Sequence, residues 1–477
     1  MSDLDVVGGA FGTSAVLTEL LTAAAELGAV ADEILELAWR VQRAPSVADL
    51  DRDAVWAPAS YLVVQARLAS LAIGLPAAAT GLAEVAVAVR ASVAGYASAD
   101  EAVAFAVAGL QDAFGLGVGL GIGAAPLPVG VIGALGADRA DALAYDHPWL
   151  LDAGAGGVEG VLLGLLLTQP WSIPVAAVAG HHAGVSSPLG SEEDALATIA
   201  VAAGGIGVLR DGADVRARPA GTRTIPAPRT VGSLVGLDSD PEAGGRGRVR
   251  VVQVPRPGGG NAWIVDVPGT RAWSPVAGED PSDLTTNVWL MAGRETATMR
   301  AVEDALTAAK VAGGGTDADP VLLAGHSQGG ITAAALAASP TFRSRHRVTH
   351  VATTGAPVAR FAVPASVQVL AMEHDRDPVP RLDGRPNPDR ATWVTVRRDP
   401  AADVDGAAGT GRRSAAAHHE RALYARTADL VDASTDPSLR AWRDSAAPFL
   451  GDDDRLRLDG EREPTDVVVR EYTLHRR

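Results

Sequence analysis

The chain has 477 residues, a formal charge of -16 at pH 7 and no cysteine. That length holds two or three domains around a large core and excludes a single small module. The acidity argues against nucleic acid as the main partner, and the missing thiols remove disulfides and thiolate metal sites.

The opening residues Met1 to Asp5 are acidic and lack the basic start and apolar run of a Sec signal peptide, which predicts a cytoplasmic protein or one exported by a non-Sec route. Residues 11 to about 44 and 58 to about 110 then carry apolar and small side chains at helical spacing, with Pro45 and Pro58 at the breaks. Leu17, Leu20, Leu21, Ala24, Leu27, Ala31, Ile34, Leu35 and Ala38 make one stripe on a helix whose other face is too polar to span a membrane. An all-α helical hairpin over residues 1–112 is the expected first domain. Near its end Tyr96 and Asp100 stand four apart on one helix face.

Residues 113–225 form a Gly/Ala-rich middle region. Ala113 to Ala137 has no charge and is long enough for a membrane span of roughly 20 residues. Its recurring glycines with Pro126 and Pro128 predict a flexible linker or packed loop instead. Gly160 to Gly180, broken by Pro170 and Pro174, reads the same way. With Leu196 to Leu209 these segments are expected to cover the catalytic domain, membrane-surface contact being the alternative.

Residues 211 to 247 are rich in Arg, Pro, Gly and Asp and read as a linker into a last domain, 226–477. There the period changes: strands over 248–254 and 262–267, a helix over about 294–312, then strands at 321–324, 348–354, 367–372 and 393–396. This α/β alternation predicts a mostly parallel sheet with helices on both faces.

The stretch Val321 to Gly330 organises that domain. Apolar Val321 to Ala324 reads as a buried strand, the Ala-rich run Ile331 to Ser339 as a helix, and Gly325-His326-Ser327-Gln328-Gly329 stands between them. A serine on so sharp a turn takes strained dihedrals and needs flanking glycines, because a Cβ would strike the strand or the helix. It projects above the sheet edge beside a helix N-terminus, which can hold an oxyanion. A plain turn with a helix-capping serine has the same local sequence, so an acid and a base must separate the two. Asp375 and Asp377 both qualify as the acid, since they follow a strand where α/β sheets bind ligands. His418 and His419 come later and complete the order Ser, Asp, His. His419 is preferred, because Ala422 and Leu423 three and four residues on would set its face against the core. His374 lacks the further spaced ligands of a metal site, so no metal and no cofactor are expected. One oxyanion donor is the N–H of Gln328; the other comes from the loop after Ala262 to Val267, where Gly269 allows close approach and Thr270 offers N–H and hydroxyl.

These residues carry a resemblance. Pro268-Gly269-Thr270, Gly325 to Gly330, Thr353-Thr354-Gly355-Ala356-Pro357, Asp377-Pro378-Val379-Pro380 and His419 to Tyr424 are similar to the P-G-T, G-H-S-x-G-G, T-x-G-x-P, D-x-V-P and His-then-Tyr motifs of the fungal-type (class 3-like) triacylglycerol lipases and their bacterial relatives. The family's tyrosine follows its histidine more closely. The likeness covers about 248 to 477 and implies an α/β-hydrolase fold and a serine ester hydrolase acting on an ester or lipid substrate. It also implies Ser327 as nucleophile, Asp377 as acid, His419 as base, and Thr270 with Gln328 at the oxyanion hole. The helical hairpin with Tyr96 and Asp100 resembles WXG-type substrates of type VII secretion, which implies an export signal at that pair and a helical secretion partner. No Trp-x-Gly turn separates the helices here; Trp56-Ala57-Pro58 stands near that place instead. Two other functions suit these features: an interaction protein carrying the hydrolase as cargo, and acyl transfer to an acceptor other than water.

Overall fold

The computed structural model describes residues 4–47, 58–124, 137–168, 172–211, 214–238, 247–256, 259–401, 403, 414–450 and 466–476. The chain divides into a helical unit, Thr13–Ala106, and a larger unit made of Met1–Gly12 and Val107–Arg477.

The helical unit contains α1 (Thr13–Val47) and most of α2 (Pro58–Ala124), which continues into the larger unit. Its burial follows a heptad. Ala24, Leu27, Ala31, Ile34, Ala38 and Val41 on α1 are covered or half-covered, and so are Leu68, Ala72, Leu75, Ala79, Leu82, Ala86, Val89 and Val93 on α2. The alternating steps of three and four give the 3.5-residue period of a two-helix seam, with alanine at every second place up to Ala86 letting backbones approach, and Val93 at the next such place. Arg90 Nη2 donates to Ala24 O at 3.1 Å. The covered line is narrower than the stripe expected from the sequence: Leu20, Leu21 and Leu35 are exposed, because one neighbouring helix buries one seam. Thr13–Arg43 and Pro58–Ser98 are long and apolar enough to cross a membrane by length and composition. Tyr96 is exposed on α2, and the Asp100 side chain lies outside the described residues.

In the larger unit α3 (Ala137–Asp146), α4 (Trp149–Gly156), α5 (Val158–Thr168), α6 (Ser172–Ala183) and α7 (Glu192–Gly205) precede the main β region. The strands are β1 (Asp5–Gly8), β2 (Val215–Pro226), β3 (Arg248–Pro255), β4 (Asn261–Val267), β5 (Pro320–His326), β6 (Arg347–Thr354), β7 (Gln368–His374), β8 (Trp393–Arg398) and β9 (Asp466–Arg476). They form one sheet in the order β1-β8-β7-β6-β5-β4-β3-β9-β2. Its centre, β4 to β8, is parallel; β1, β3, β9 and β2 pair antiparallel, so the sheet is mixed. Helices α8 (Val231–Val235), α9 (Leu284–Met291), α10 (Ala297–Gly313), α11 (Gln328–Ala338), α12 (Pro340–Arg345), α13 (Arg421–Ala433) and α14 (Pro437–Ser445) complete it. Alternation along β5 splits the core between both faces: Val321 and Leu323 pack with α10 and α11, Leu322 and Ala324 with α13 and α14.

Several expectations need correction. The linker read at 211 to 247 contains β2 and α8, and β2 pairs with β9 along its whole length. Its polar sequence suits an edge strand with mostly exposed side chains. The loop or linker expected after Ala113 is helical to Ala124, with Pro126 and Pro128 outside the described residues. Gly115 there serves packing, since a Cβ on it would lie 1.9 Å from Gly157 O, and across the same contact a Cβ on Gly160 would lie 2.3 Å from Asp112 O. Gly160 to Gly180 is likewise mostly helix, in α5 and α6. The 112/113 boundary falls inside α2, and 113–225 belongs to the same unit as the sheet.

Candidate active site

Ser327 sits between β5 and α11 with φ 57 and ψ -127, one of two non-glycine residues at positive φ among the described residues. The backbone holds this costly conformation by hydrogen bonds from Ser327 N to Thr354 O at 2.9 Å and from Gly330 N to Ser327 O at 2.9 Å. The flanking glycines are required by contact. A Cβ on Gly325 would lie 2.3 Å from Gly329 C, one on Gly329 2.0 Å from Val267 O, and one on Gly330 2.5 Å from the Ala356 Cβ. Ser327 is 5% exposed and its hydroxyl makes no capping bond to the helix, so the helix-cap reading of this turn does not hold.

The loop after β7 carries the expected acid. Asp377 is fully buried and accepts three hydrogen bonds: from Val379 N at 2.8 Å, from His419 Nδ1 at 2.8 Å and from the Tyr424 hydroxyl at 2.7 Å. Asp375 faces elsewhere and pairs with Arg397 at 3.2 Å. His419 stacks on His326, the residue before Ser327, with ring centroids 4.6 Å apart. Its Nδ1 donates to Asp377, which leaves Nε2 as the acceptor a general base needs. His418 is buried, donates from Nδ1 to Ser414 O at 2.9 Å and meets the edge of Tyr145. His419 thus meets Asp377 as expected, but not for the expected reason. Both histidines lie in a 3-10 turn, Ala416–His419, with extended Glu420 before α13, so Ala422 and Leu423 do not set the ring's direction.

Gly355, at φ 58, seals the Asp377–His419 pair: a Cβ there would lie 3.0 Å from the Tyr424 ring and 3.1 Å from both Asp377 Oδ2 and His419 Cε1. Burial, and then the Asp377 carboxylate, push the Tyr424 phenol well up, so it stays a donor. Burial, then the neighbouring His419 and Arg421, hold His326 well below the usual histidine range. A neutral His326 ring therefore lies against His419.

The P-G-T loop reaches Ser327, since a Cβ on Gly269 would lie 3.1 Å from His326 O and 3.5 Å from Ser327 Cβ. Gln328 opens α11, where its N–H has no intrahelical acceptor. Asn287 of α9 joins this residue to Thr270: Nδ2 donates to Thr270 Oγ1 at 3.0 Å, and Oδ1 accepts from Gln328 Nε2 at 2.8 Å. Gln328 Nε2 also donates to Asp283 O at 2.7 Å. With its oxygen accepting from Asn287, the Thr270 hydroxyl keeps its proton free for another acceptor.

The middle helices dock on the loops that carry these groups. Asp141 of α3 accepts from Ala416 N at 2.7 Å, Asp152 of α4 pairs with Arg381 at 2.5 Å, and Glu192 of α7 with Arg360. Sequence reasoning missed Asn287, His326 and the Tyr424–Asp377 bond; the signal for Asn287 was a lone amide in an apolar helix. Among the described residues no three His, Asp or Glu side chains converge to hold a metal. No family model, curated protein or solved structure matches the chain.

Proposed function

We propose that the chain is a serine hydrolase of carboxylic esters with an α/β-hydrolase fold, acting through Ser327, Asp377 and His419. The observation that carries this reading is the pair of buried Asp377 and half-buried His419, the histidine stacked on His326 next to a strained Ser327 whose hydroxyl caps nothing. His419 Nε2 takes the Ser327 proton and the alkoxide attacks the ester carbonyl. The oxyanion rests on Gln328 N–H and the Thr270 donors. His419 returns the proton to the leaving alcohol, then activates water to release the acid. Helix dipole and backbone donors, fixed beforehand, stabilise the developing charge. The test is labelling by a fluorophosphonate together with turnover of p-nitrophenyl esters of graded chain length, in wild type and Ser327→Ala. Labelling and turnover lost together in Ser327→Ala support the reading; turnover unchanged in that variant rejects it.

A second reading concerns the helical unit. We propose an antiparallel helical hairpin of WXG-like kind that pairs with a helical partner in type VII export. The heptad seam, the Arg90–Ala24 bond between the middle of α2 and the early part of α1, and the exposed Tyr96 favour it. Export in a type VII-competent host should fall on Tyr96→Ala and on Asp100→Ala; export of both variants at the wild-type level counts against it.

A further inference from the structure

His374 ends β7 three residues before Asp377, is 2% exposed, and has no part in the chemistry proposed above. Its ring lies flat on that of Tyr424, with centroids 3.8 Å apart and planes at 10°. Nδ1 is 2.8 Å from the His418 carbonyl oxygen and Nε2 is 2.9 Å from Thr427 Oγ1. Its backbone N–H donates to the Tyr424 hydroxyl at 3.1 Å. A carbonyl only accepts, so the ring proton belongs on Nδ1. Nε2 then accepts from the Thr427 hydroxyl, whose single proton turns to it from the Leu423 carbonyl oxygen at 3.1 Å and whose oxygen accepts from Arg398 Nη1 at 3.2 Å. Burial lowers this histidine to about 4, so one neutral tautomer serves across the neutral range.

These contacts join the two loops of the acid–base pair. The His418 carbonyl belongs to the turn that carries His419, a turn with no side-chain cap at its start. The phenol that His374 stacks against and donates to is the one that donates to Asp377. If the site needed only volume here, a leucine or phenylalanine would supply it without two buried ring nitrogens to satisfy.

We propose that His374 is a positioning residue: it clamps the His418 carbonyl, and so the direction of His419, while holding Tyr424 against Asp377. The proposal rests on the reading of Ser327, Asp377 and His419 as the triad. Asparagine at this place keeps a donor near the Nδ1 position, whereas glutamine reaches only towards the Nε2 side. With p-nitrophenyl butyrate, His374→Asn should therefore keep kcat within about tenfold, while His374→Gln should lose about 10²-fold, the cost of a misplaced catalytic group. The acid limb of the kcat profile should move in His374→Gln alone, which lost stability by itself would not cause. Equal kcat and equal acid limbs in the two variants would overturn the clamp. The full-length wild type gives an independent reading, because long-range proton–nitrogen NMR correlations report the tautomer of each histidine. An Nδ1–H form of His374 protected from exchange is expected, and an Nε2–H form would overturn the proposal even if neither variant folds. Absence of fluorophosphonate labelling in wild type would instead reject the hydrolase reading, leaving the tautomer to judge the clamp.

Discussion

Asn287→Ala is the substitution that best isolates the candidate oxyanion hole. Asn287 does not reach the reacting atoms in the proposed mechanism; it ties Thr270 and Gln328 together by bonds of 3.0 and 2.8 Å. Removing one preorganised oxyanion donor costs about 10²–10³ in kcat. In the alanine variant Gln328 keeps its bond to Asp283 O and its place at the start of α11, so its N–H stays aimed. Thr270 loses the donor that orients its hydroxyl. One of two donor groups is thus loosened, which sets the expected loss at the lower end, about 10²-fold in kcat or near 2.7 kcal/mol. Two ordinary hydrogen bonds of about 1 kcal/mol each bound the stability cost at about 2 kcal/mol. Because the contact acts on charge that exists only in the transition state, kcat and kcat/KM should fall together with KM unchanged. Steady-state kinetics on p-nitrophenyl butyrate, with a urea melt alongside, measures both. A variant that keeps kcat within about threefold, or loses only KM, refutes the oxyanion role of this loop.

Ser327→Ala should lower ester turnover by about 10⁴-fold or more. His419→Ala should cost several orders of magnitude in kcat and His418→Ala little, since only His419 meets Asp377; equal losses in the two kinetic assays would reject that division. Gly355→Ala should cost about 10²-fold in kcat, because the new methyl meets Tyr424, Asp377 and His419 at once; near wild-type kinetics would mean that the loop gives way. Burial, and then the Asp383 carboxylate, raise Glu373 from 4.5 to about 8. Between those values the folded state binds the extra proton, so stability falls as pH rises through the window; Glu373→Gln should flatten that fall in urea melts at about pH 5 and about pH 8.5, and an unchanged slope would contradict it.

The central strands were legible because each is a short apolar run between turn residues, and position alone gives them parallel neighbours. The edges were not. Strand β2 reads as linker because Arg216, Arg218, Pro219 and Arg223 break the apolar pattern, yet an edge strand with mostly exposed side chains has little use for one. Its partner β9 lies more than two hundred residues away, and the register shift between Pro219 and Gly221 accommodates the proline. Strand β1 is four residues long and owes its existence to β8, nearly four hundred residues on. Pairing of that separation leaves no local trace.

The site divides the same way. The serine half was legible since its constraints are local: Gly325, Gly329 and Gly330 are each forced by atoms within a few residues or on the adjoining strand ends. The choice between Asp375 and Asp377 has no local answer, as both follow the same strand in the same polar turn. What separates them is the direction of the chain at Pro378, which brings Val379 N to Asp377 Oδ1 and leaves Asp375 to Arg397. A carbonyl distinguishes His418 from His419. Once His374 holds His418 O, the 3-10 turn delivers the next side chain to Asp377, whatever face the following helix presents. The arrangement of His419 is therefore carried by contacts across 42 and 44 residues of sequence, which no periodicity encodes.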